Sequence, residues 1–368
     1  MQIVADDKIP FLKGVFEPYT EVRYLPGGAI RQEDLRNADA LITRTRTRCN
    51  RELLAGTPVR FIATATIGFD HIDAAAMKEL EIDWTNAPGC NARSVAGYLA
   101  AALTGFQRPL RGLTLGVVGV GNVGRRIVET GEALGMRVLR NDPPRAEREG
   151  SAGFSELAQL LEESDFITLH VPLERGGAHP TFHLADEVFL NAMKPGAVLL
   201  NTSRGEVADN PALKRALLAG TLRAAVLDVW ENEPEIDREL LAQVFRGTPH
   251  IAGYSADGKA NGTAMAVQAV ARKFGIEPLY EWRPSALPAP EPATIDLAAA
   301  ASPEEQLALA CNTACDLLRD DADLRRDPGR FEQLRGNYRI RREAPAYTIR
   351  GGSGEVRDTL KRLGFRLG

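Results

Sequence analysis

The chain has 368 residues, 45 lysines and arginines against 49 aspartates and glutamates, and a formal net charge of −4. That length exceeds one compact core, so two or three domains are expected. Ordinary composition, slight acidity and the lack of a long basic or membrane-length apolar run exclude a nucleic-acid partner and a membrane span and point to a soluble globular protein.

The chain opens MQIVADDKIP, which reads as a strand and turn and lacks a basic n-region followed by an apolar stretch. Cys49, Cys90, Cys311 and Cys315 form no CxxC pair and are expected as buried free thiols in a reducing cytoplasm. Residues 1–90 alternate strand candidates (3–5, 22–25, 40–43, 61–64, 82–85) with helical stretches (32–37, 51–55, 74–79). This βα repeat implies a parallel sheet covered by helices on both faces. Asp6-Asp7-Lys8 follows the first strand in place of a glycine loop, so this domain is not expected to hold a dinucleotide. Two segments fall at strand ends, where open α/β sheets bind ligands: Arg44-Thr45-Arg46-Thr47 and the stretch from Thr64 through Thr66 to His71. The two arginines with interleaved hydroxyls suit a phosphate or carboxylate.

After the turn residues 86–91, a long helix over 92–105 is expected to leave the first domain and enter the second. The stretch LGVVGVGNVGRRIVETGEALGMRVLRND, residues 115–142, organises the second domain. An apolar strand leads into Gly119, Gly121 and Gly124 in G-x-G-x-x-G spacing, then a helix over 122–134, a second strand at 136–139 and Asp142. The first glycine permits a tight turn, the second lets a pyrophosphate approach the backbone, and the third lets helix and strand pack closely. Asn122 and Val123 open the helix, whose N-terminus supplies N–H groups for the phosphates. The Asp142 carboxylate can accept from the adenosine ribose hydroxyls and repels a 2′-phosphate, so NAD is expected, although Arg140 and Arg145 flank it.

Further strands are expected at 166–169, 197–201 and 224–229, with helices at 155–163, 186–191 and 211–219. A helix over 258–274 crosses back to the first domain, which is then discontinuous. Clustered prolines (Pro284, Pro288, Pro290, Pro292) read as a linker. Beyond it, Ser302-Pro303-Glu304-Glu305 is a capping box opening a helix to about residue 318. A basic amphipathic helix over 331–343, strands at 346–349 and 365–367, and a helix near 355–363 complete a small unit. The expected fold is therefore α/β: two doubly wound, Rossmann-like parallel-sheet domains (1–91 with 255–281 for substrate, 92–254 for NAD) plus a small C-terminal α+β dimerisation domain, 282–368.

Three polar residues stand past strand ends of the second domain: Arg204 in Asn201-Thr202-Ser203-Arg204-Gly205, Glu233 in Trp230-Glu231-Asn232-Glu233-Pro234, and His250 in Thr248-Pro249-His250. Such positions converge on one crevice. An alcohol next to a carboxylate needs these residue types. An arginine clamps the carboxylate, a histidine takes the hydroxyl proton as hydride leaves, and a glutamate orients the imidazole and favours its protonated form. No metal site is expected.

GVGNVG with Asp142, NTSRGEVADN, LDVWENEP and PHIAGY resemble the D-2-hydroxyacid dehydrogenase superfamily. DWTNAPGCNA, NDPPRA, FHLADE, GTPHIAGYSADGKANGT, DDADLRRDPGRFEQLRGNY and RLGFR are similar to its erythronate-4-phosphate dehydrogenase family. The resemblance implies oxidation of 4-phospho-D-erythronate at C2 with NAD, towards pyridoxal 5′-phosphate. It places the catalytic Arg, Glu and His on Arg204, Glu233 and His250. Dinucleotide contacts fall on Asp142, Val171, Thr202, Ser203, Arg204, Asp228 and Gly253, and substrate contacts on Thr45, Thr66 and Tyr254. Val171 stands where threonine is common, which leaves only a backbone contact there. The distal phosphate would take positive charge from Arg44 or Arg46. The same resemblance implies domain closure over the substrate and a homodimer built by the C-terminal unit. Alternatives on this fold are a dehydrogenase of another 2-hydroxy acid, such as 3-phosphoglycerate, or an NAD-sensing binding protein without activity.

Overall fold

The computed structural model describes residues 1–106 and 109–368. They form two compact units: Met1–Asn91 with Ser255–Pro288, and Ala92–Tyr254 with Ala289–Gly368. In the first unit, strands β1 (Gln2–Asp6), β2 (Glu21–Leu25), β3 (Ala40–Thr43), β4 (Phe61–Thr64) and β5 (Asp83–Thr85) form a parallel sheet of order β2-β1-β3-β4-β5. Its central strands are buried and largely apolar because both faces are covered. Ile3, Ala5, Ile42 and Ala63 pack with Val267 and Val270, whereas Val4, Leu41 and Ile62 pack with Leu54 and Met77. Val267 and Val270 belong to the helix Ala256–Phe274, which Ser255 caps by accepting from Gly258 N–H at 2.8 Å. That helix approaches the end of β4 so closely that a Cβ at Gly262 would lie 2.5 Å from Ala65 O.

The second unit carries β6 (Thr114–Val118), β7 (Arg137–Asn141), β8 (Phe166–Leu169), β9 (Val198–Asn201), β10 (Ala224–Leu227) and β11 (Arg246–Gly247). They form a parallel sheet of order β11-β10-β9-β8-β6-β7. The chain runs outward from β6 to β7 on one side and from β8 towards β11 on the other. The reversal point lies between β6 and β8, where a doubly wound sheet opens a crevice for its ligand.

Residues beyond the proline-rich stretch add β12 (Thr294–Asp296), β13 (Thr348–Arg350) and β14 (Arg366–Leu367), also parallel. They share a core with the helix Ala92–Thr104: Leu99 and Leu103 cluster with Ile295, Cys311, Ile349 and Leu360. The segment thus packs as part of the second unit. The four cysteines are free and buried.

Several expected elements differ. The helix expected over 331–343 stops at Gly336, because Arg339 pairs with Asp320 and Arg341 turns into the interior. The capping box at Ser302 is present, but its helix ends at Ala314. Asp316 then caps a new helix, Leu317–Arg326, by accepting from Arg319 N–H at 3.1 Å. The turn over Gln32–Leu35 is 3-10. Helices Pro143–Glu149 and Arg238–Gln243 and strands β11 and β12 were not expected.

Candidate active site

After β6 the chain turns through Gly119 at φ +85°. A Cβ there would lie 2.5 Å from His170 O, and one at Gly124 would lie 2.0 Å from Gly119 O. Gly121 is different: a Cβ there would meet nothing within 4 Å. Two glycines therefore serve the protein's own packing, and the middle one keeps space open above a helix end. That helix, Asn122–Ala133, has no side-chain cap, so its first-turn N–H groups remain for an anion. Val123 packs on the core behind the loop, and Asn122 Oδ1 accepts from Arg125 at 3.0 Å.

Asp142 follows β7 directly. Its Oδ2 accepts from Val120 N–H at 2.8 Å and its Oδ1 from Arg145 N–H at 3.1 Å. It thus ties the glycine loop to the next helix, and a carboxylate with about four acceptor sites still has capacity for ribose hydroxyls. Both flanking arginines are engaged: Arg140 donates to Glu132 at 2.7 Å, and Arg145 to Val120 O at 2.6 Å and to Glu149. Arg145 and Arg148 hold the Glu149 carboxyl down at about 2. These residues fit an NAD whose ribose hydroxyls meet Asp142.

Across the crevice, His170 follows β8. Its Nε2 lies 2.8 Å from Thr168 Oγ1 and its Nδ1 3.5 Å from Thr202 Oγ1. Burial pushes its imidazole down to about 3, so it is neutral. The Val171 side chain packs against the Gly119 turn, 2.8 Å from where a Cβ would stand. Sequence reasoning passed over His170, although a polar residue directly after an apolar strand was a readable signal.

The catalytic candidates are linked through backbone contacts. Asn201, at the end of β9, accepts from Ser203 N–H and Oγ–H at 3.0 and 2.8 Å and donates to Arg204 O at 2.8 Å, which shapes the Thr202-Ser203-Arg204 turn. Arg204 Nη1 donates to Ser203 O at 2.8 Å. A Cβ at Gly205 would lie 1.9 Å from Trp230 O, so this turn abuts the Trp230 backbone. Trp230 is buried; its N–H donates to Glu233 Oε1 at 2.9 Å and its Nε1–H to Thr248 O at 3.0 Å. Glu233 Oε2 meets His250 Nδ1 at 2.8 Å. The carboxylate can only accept, so Nδ1 carries the proton and Nε2 presents its lone pair.

His250 adopts φ +56°, a left-handed conformation that costs about 1–3 kcal/mol outside glycine and marks functional sites. Asp228 holds it there. Its carboxylate accepts from Thr248 Oγ1, Ile251 N–H and Ala252 N–H at 2.6, 2.7 and 2.8 Å, and its own carbonyl accepts from His250 N–H at 2.7 Å. Burial raises the Asp228 carboxyl, against the lowering effect of His250 and these donors. Beyond Gly253, the Tyr254 ring lies edge-on to Tyr338 at 6.2 Å.

In the first unit, Thr66 Oγ1 bonds Thr64 Oγ1 at 2.8 Å and Gly68 O at 3.0 Å, and His71 Nε2 reaches Thr64 Oγ1 at 3.2 Å. Thr45 and Arg46 are exposed after β3. Arg44 Nη1 donates to Lys8 O at 3.1 Å. Arg46 borders an open groove of about 800 Å³ with Arg31, Arg36 and Arg48. Among the described residues no cluster suits a metal, and no helix is long and apolar enough to cross a membrane.

A glycine loop for a dinucleotide and a Glu–His pair in one doubly wound unit define an NAD-dependent dehydrogenase. Residues 91–252 match the family model of the D-isomer specific 2-hydroxyacid dehydrogenase NAD-binding domain, and residues 286–364 match a domain of unknown function. Erythronate-4-phosphate dehydrogenase from Bacteroides fragilis is 50% identical over 354 residues, 95% of this chain and 99% of that one. The enzyme of the same name from Escherichia coli is 42% identical over 376 residues, 99% of this chain and 98% of that one. Among solved structures, D-lactate dehydrogenase from Aquifex aeolicus with NAD and lactic acid has a TM-score of 0.63 at 28% identity, covering 76% of this chain and 97% of that one. NAD+-bound 3-phosphoglycerate dehydrogenase from Entamoeba histolytica has a TM-score of 0.63 at 25% identity, with the same coverage. The chain belongs to the erythronate-4-phosphate dehydrogenase family of D-2-hydroxyacid dehydrogenases.

Proposed function

We propose that this protein oxidises 4-phospho-D-erythronate to 3-hydroxy-2-oxo-4-phosphooxybutanoate, with NAD, on the route to pyridoxal 5′-phosphate. The observation that carries the chemistry is the 2.8 Å contact between Glu233 Oε2 and His250 Nδ1, which leaves Nε2 as the base. His250 Nε2 takes the C2 hydroxyl proton while the C2 hydrogen leaves as hydride and C2=O forms. NAD, when bound, accepts that hydride. Glu233 stabilises the imidazolium that results. Arg204 clamps the substrate carboxylate through its planar fork.

Residues 92–254 hold the dinucleotide through the 119–124 loop, Asp142, Thr202, Ser203, Arg204, Gly253 and the Val171 backbone, while Asp228, expected as a contact, is buried and supports the 250–252 loop instead. Residues 1–91 with 255–281 supply Thr45, Thr66 and a phosphate contact from Arg44 or Arg46, and Tyr254 completes the substrate set. Residues 282–368 pair two copies into a homodimer, to which the exposed Leu318 and Ile340 are suited. The enzyme acts in the cytoplasm. NADH formation from 4-phosphoerythronate and 3-phosphoglycerate, measured side by side, tests the substrate. A clear preference for the four-carbon acid is expected. Equal or reversed preference rejects the substrate, and NADH binding without turnover of any 2-hydroxy acid rejects catalysis.

A further inference from the structure

The C-terminal segment places a guanidinium against the ring of Tyr254. Helix Phe331–Gly336 is anchored by Phe331, which is fully buried in the core that also holds Trp230, the residue whose N–H fixes Glu233. Arg335 stands one turn further along the same helix face. Its guanidinium lies 5.9 Å from the centre of the Tyr254 ring and donates to the Tyr254 side chain. Tyr254 is four residues beyond His250.

Arg335 differs from its neighbours in how its charge is met. Arg325 bonds both Asp321 oxygens at 2.9 Å and the carbonyls of Leu241 and Val244. Arg339 pairs with Asp320. Arg335 reaches the Glu332 carboxylate only at 3.8 Å, and its Nε is buried without a hydrogen-bond partner. An unmet buried N–H costs about 1–3 kcal/mol, and no protein acceptor meets this one. Burial works against the Arg335 charge, but Tyr254, Glu233 and Glu332 outweigh it and hold the group charged.

The substrate of the proposed reaction carries two anions. Arg204 meets the carboxylate, and the doubly charged distal phosphate takes a second cation besides Arg44 or Arg46. We propose that Arg335, docked on Tyr254, is a specificity-determining contact for the substrate phosphate. The segment that carries it also reaches the catalytic loop a second time: Arg341 donates to Ala252 O at 2.6 Å and to Ser94 Oγ. Arg341 is buried and its donors are spent on protein atoms, so it holds the loop and meets no ligand.

This inference rests on the proposed substrate, and one experiment separates the two. In the full-length enzyme with NAD, KM is measured for 4-phosphoerythronate, and Ki for unphosphorylated erythronate as a competitive inhibitor. Arg335→Met should raise KM about 10- to 100-fold, the worth of a charged hydrogen bond, while Ki stays within about threefold. A merely structural role would move both constants together. Arg335→Lys keeps the charge and should give a smaller rise in KM with Ki again unmoved; it serves if the methionine variant fails to fold. KM and Ki rising in parallel, or neither changing, overturns the role of Arg335. A wild-type enzyme that does not oxidise 4-phosphoerythronate overturns the substrate assignment itself.

Discussion

Glu233→Gln preserves side-chain shape but replaces one acceptor with a donor, and the surrounding bonds dictate the result. Glu233 accepts from Trp230 N–H at 2.9 Å on Oε1 and from His250 Nδ1 at 2.8 Å on Oε2. A glutamine amide can keep its oxygen on Trp230 and turn its NH2 to His250. The imidazole must then offer a lone pair at Nδ1 and carry its proton on Nε2, where no base remains. The opposite orientation sets NH2 against Trp230 N–H and loses that bond, at about 1–3 kcal/mol. That cost leaves the base-competent form at roughly 1–15% of the population. Even that form supports the imidazolium through a neutral partner and not a charged one, worth about tenfold more. The product is a fall in kcat of about 10²- to 10³-fold; a wrong tautomer held by an amide reaches about 10⁴-fold in serine proteases. Steady-state NADH formation at saturating 4-phosphoerythronate and NAD measures it, with His250→Ala as the floor. NADH binding should be unchanged, since the 119–124 loop is untouched. A kcat within about threefold of wild type would show that Glu233 does not set the tautomer.

Arg204→Lys should raise KM and lower kcat together, because an ammonium cannot reproduce the bidentate fork; wild-type kinetics would remove the clamp. Gly124→Ala should lower Tm by about 5–10 °C, as its Cβ would lie 2.0 Å from Gly119 O. Gly121→Ala should leave Tm nearly unchanged and weaken NADH binding about 10- to 100-fold, since its Cβ meets only open space; the reverse pattern, read from melts and fluorescence titration, would refute the division of labour among the glycines. The folded chain holds the His170 imidazole at about 3, against an ordinary 6.5. The unfolded chain therefore binds that proton first, and stability should fall as pH drops from about 6.5 towards 3. Melts across that range should show His170→Asn with a flatter dependence, and parallel curves would exclude His170 as a source.

Strands β3, β4 and β8 were legible to the residue, because a parallel strand buried on both faces is a short run of apolar residues and threonine between polar ends. Pro143–Glu149 was not. It buries none of its residues, so apolar periodicity is silent, and it forms because Asp142 caps it, proline starts it and Arg145 pairs with Glu149 one turn on. β11 has two residues, too few for any pattern. Over 331–343 the period persisted past the true end of the helix. There Tyr338 and Arg339 bond Asp320, which is nearly buried on the preceding helix, and that contact outweighs local propensity.

Arg204 and Glu233 could be picked out as candidates because each is a polar residue past an apolar strand, where the fold itself makes a crevice, whereas the strand before His250 has only two residues. What such a position cannot reveal is which way its side chain turns. Asp228 stands past β10 much as Arg204 stands past β9, yet its carboxylate is 1% exposed and lies under the loop. The reason is in the next strand's exit. With φ positive at His250, the N–H groups of Ile251 and Ala252 both point inward, and a single buried carboxylate answers both at 2.7 and 2.8 Å. Leaving either donor unmet would cost about 1–3 kcal/mol, comparable to the strain at His250 itself. Asp228 therefore keeps His250 in a conformation the chain would otherwise abandon, a role set by two N–H groups more than twenty residues away and invisible in the residues around it.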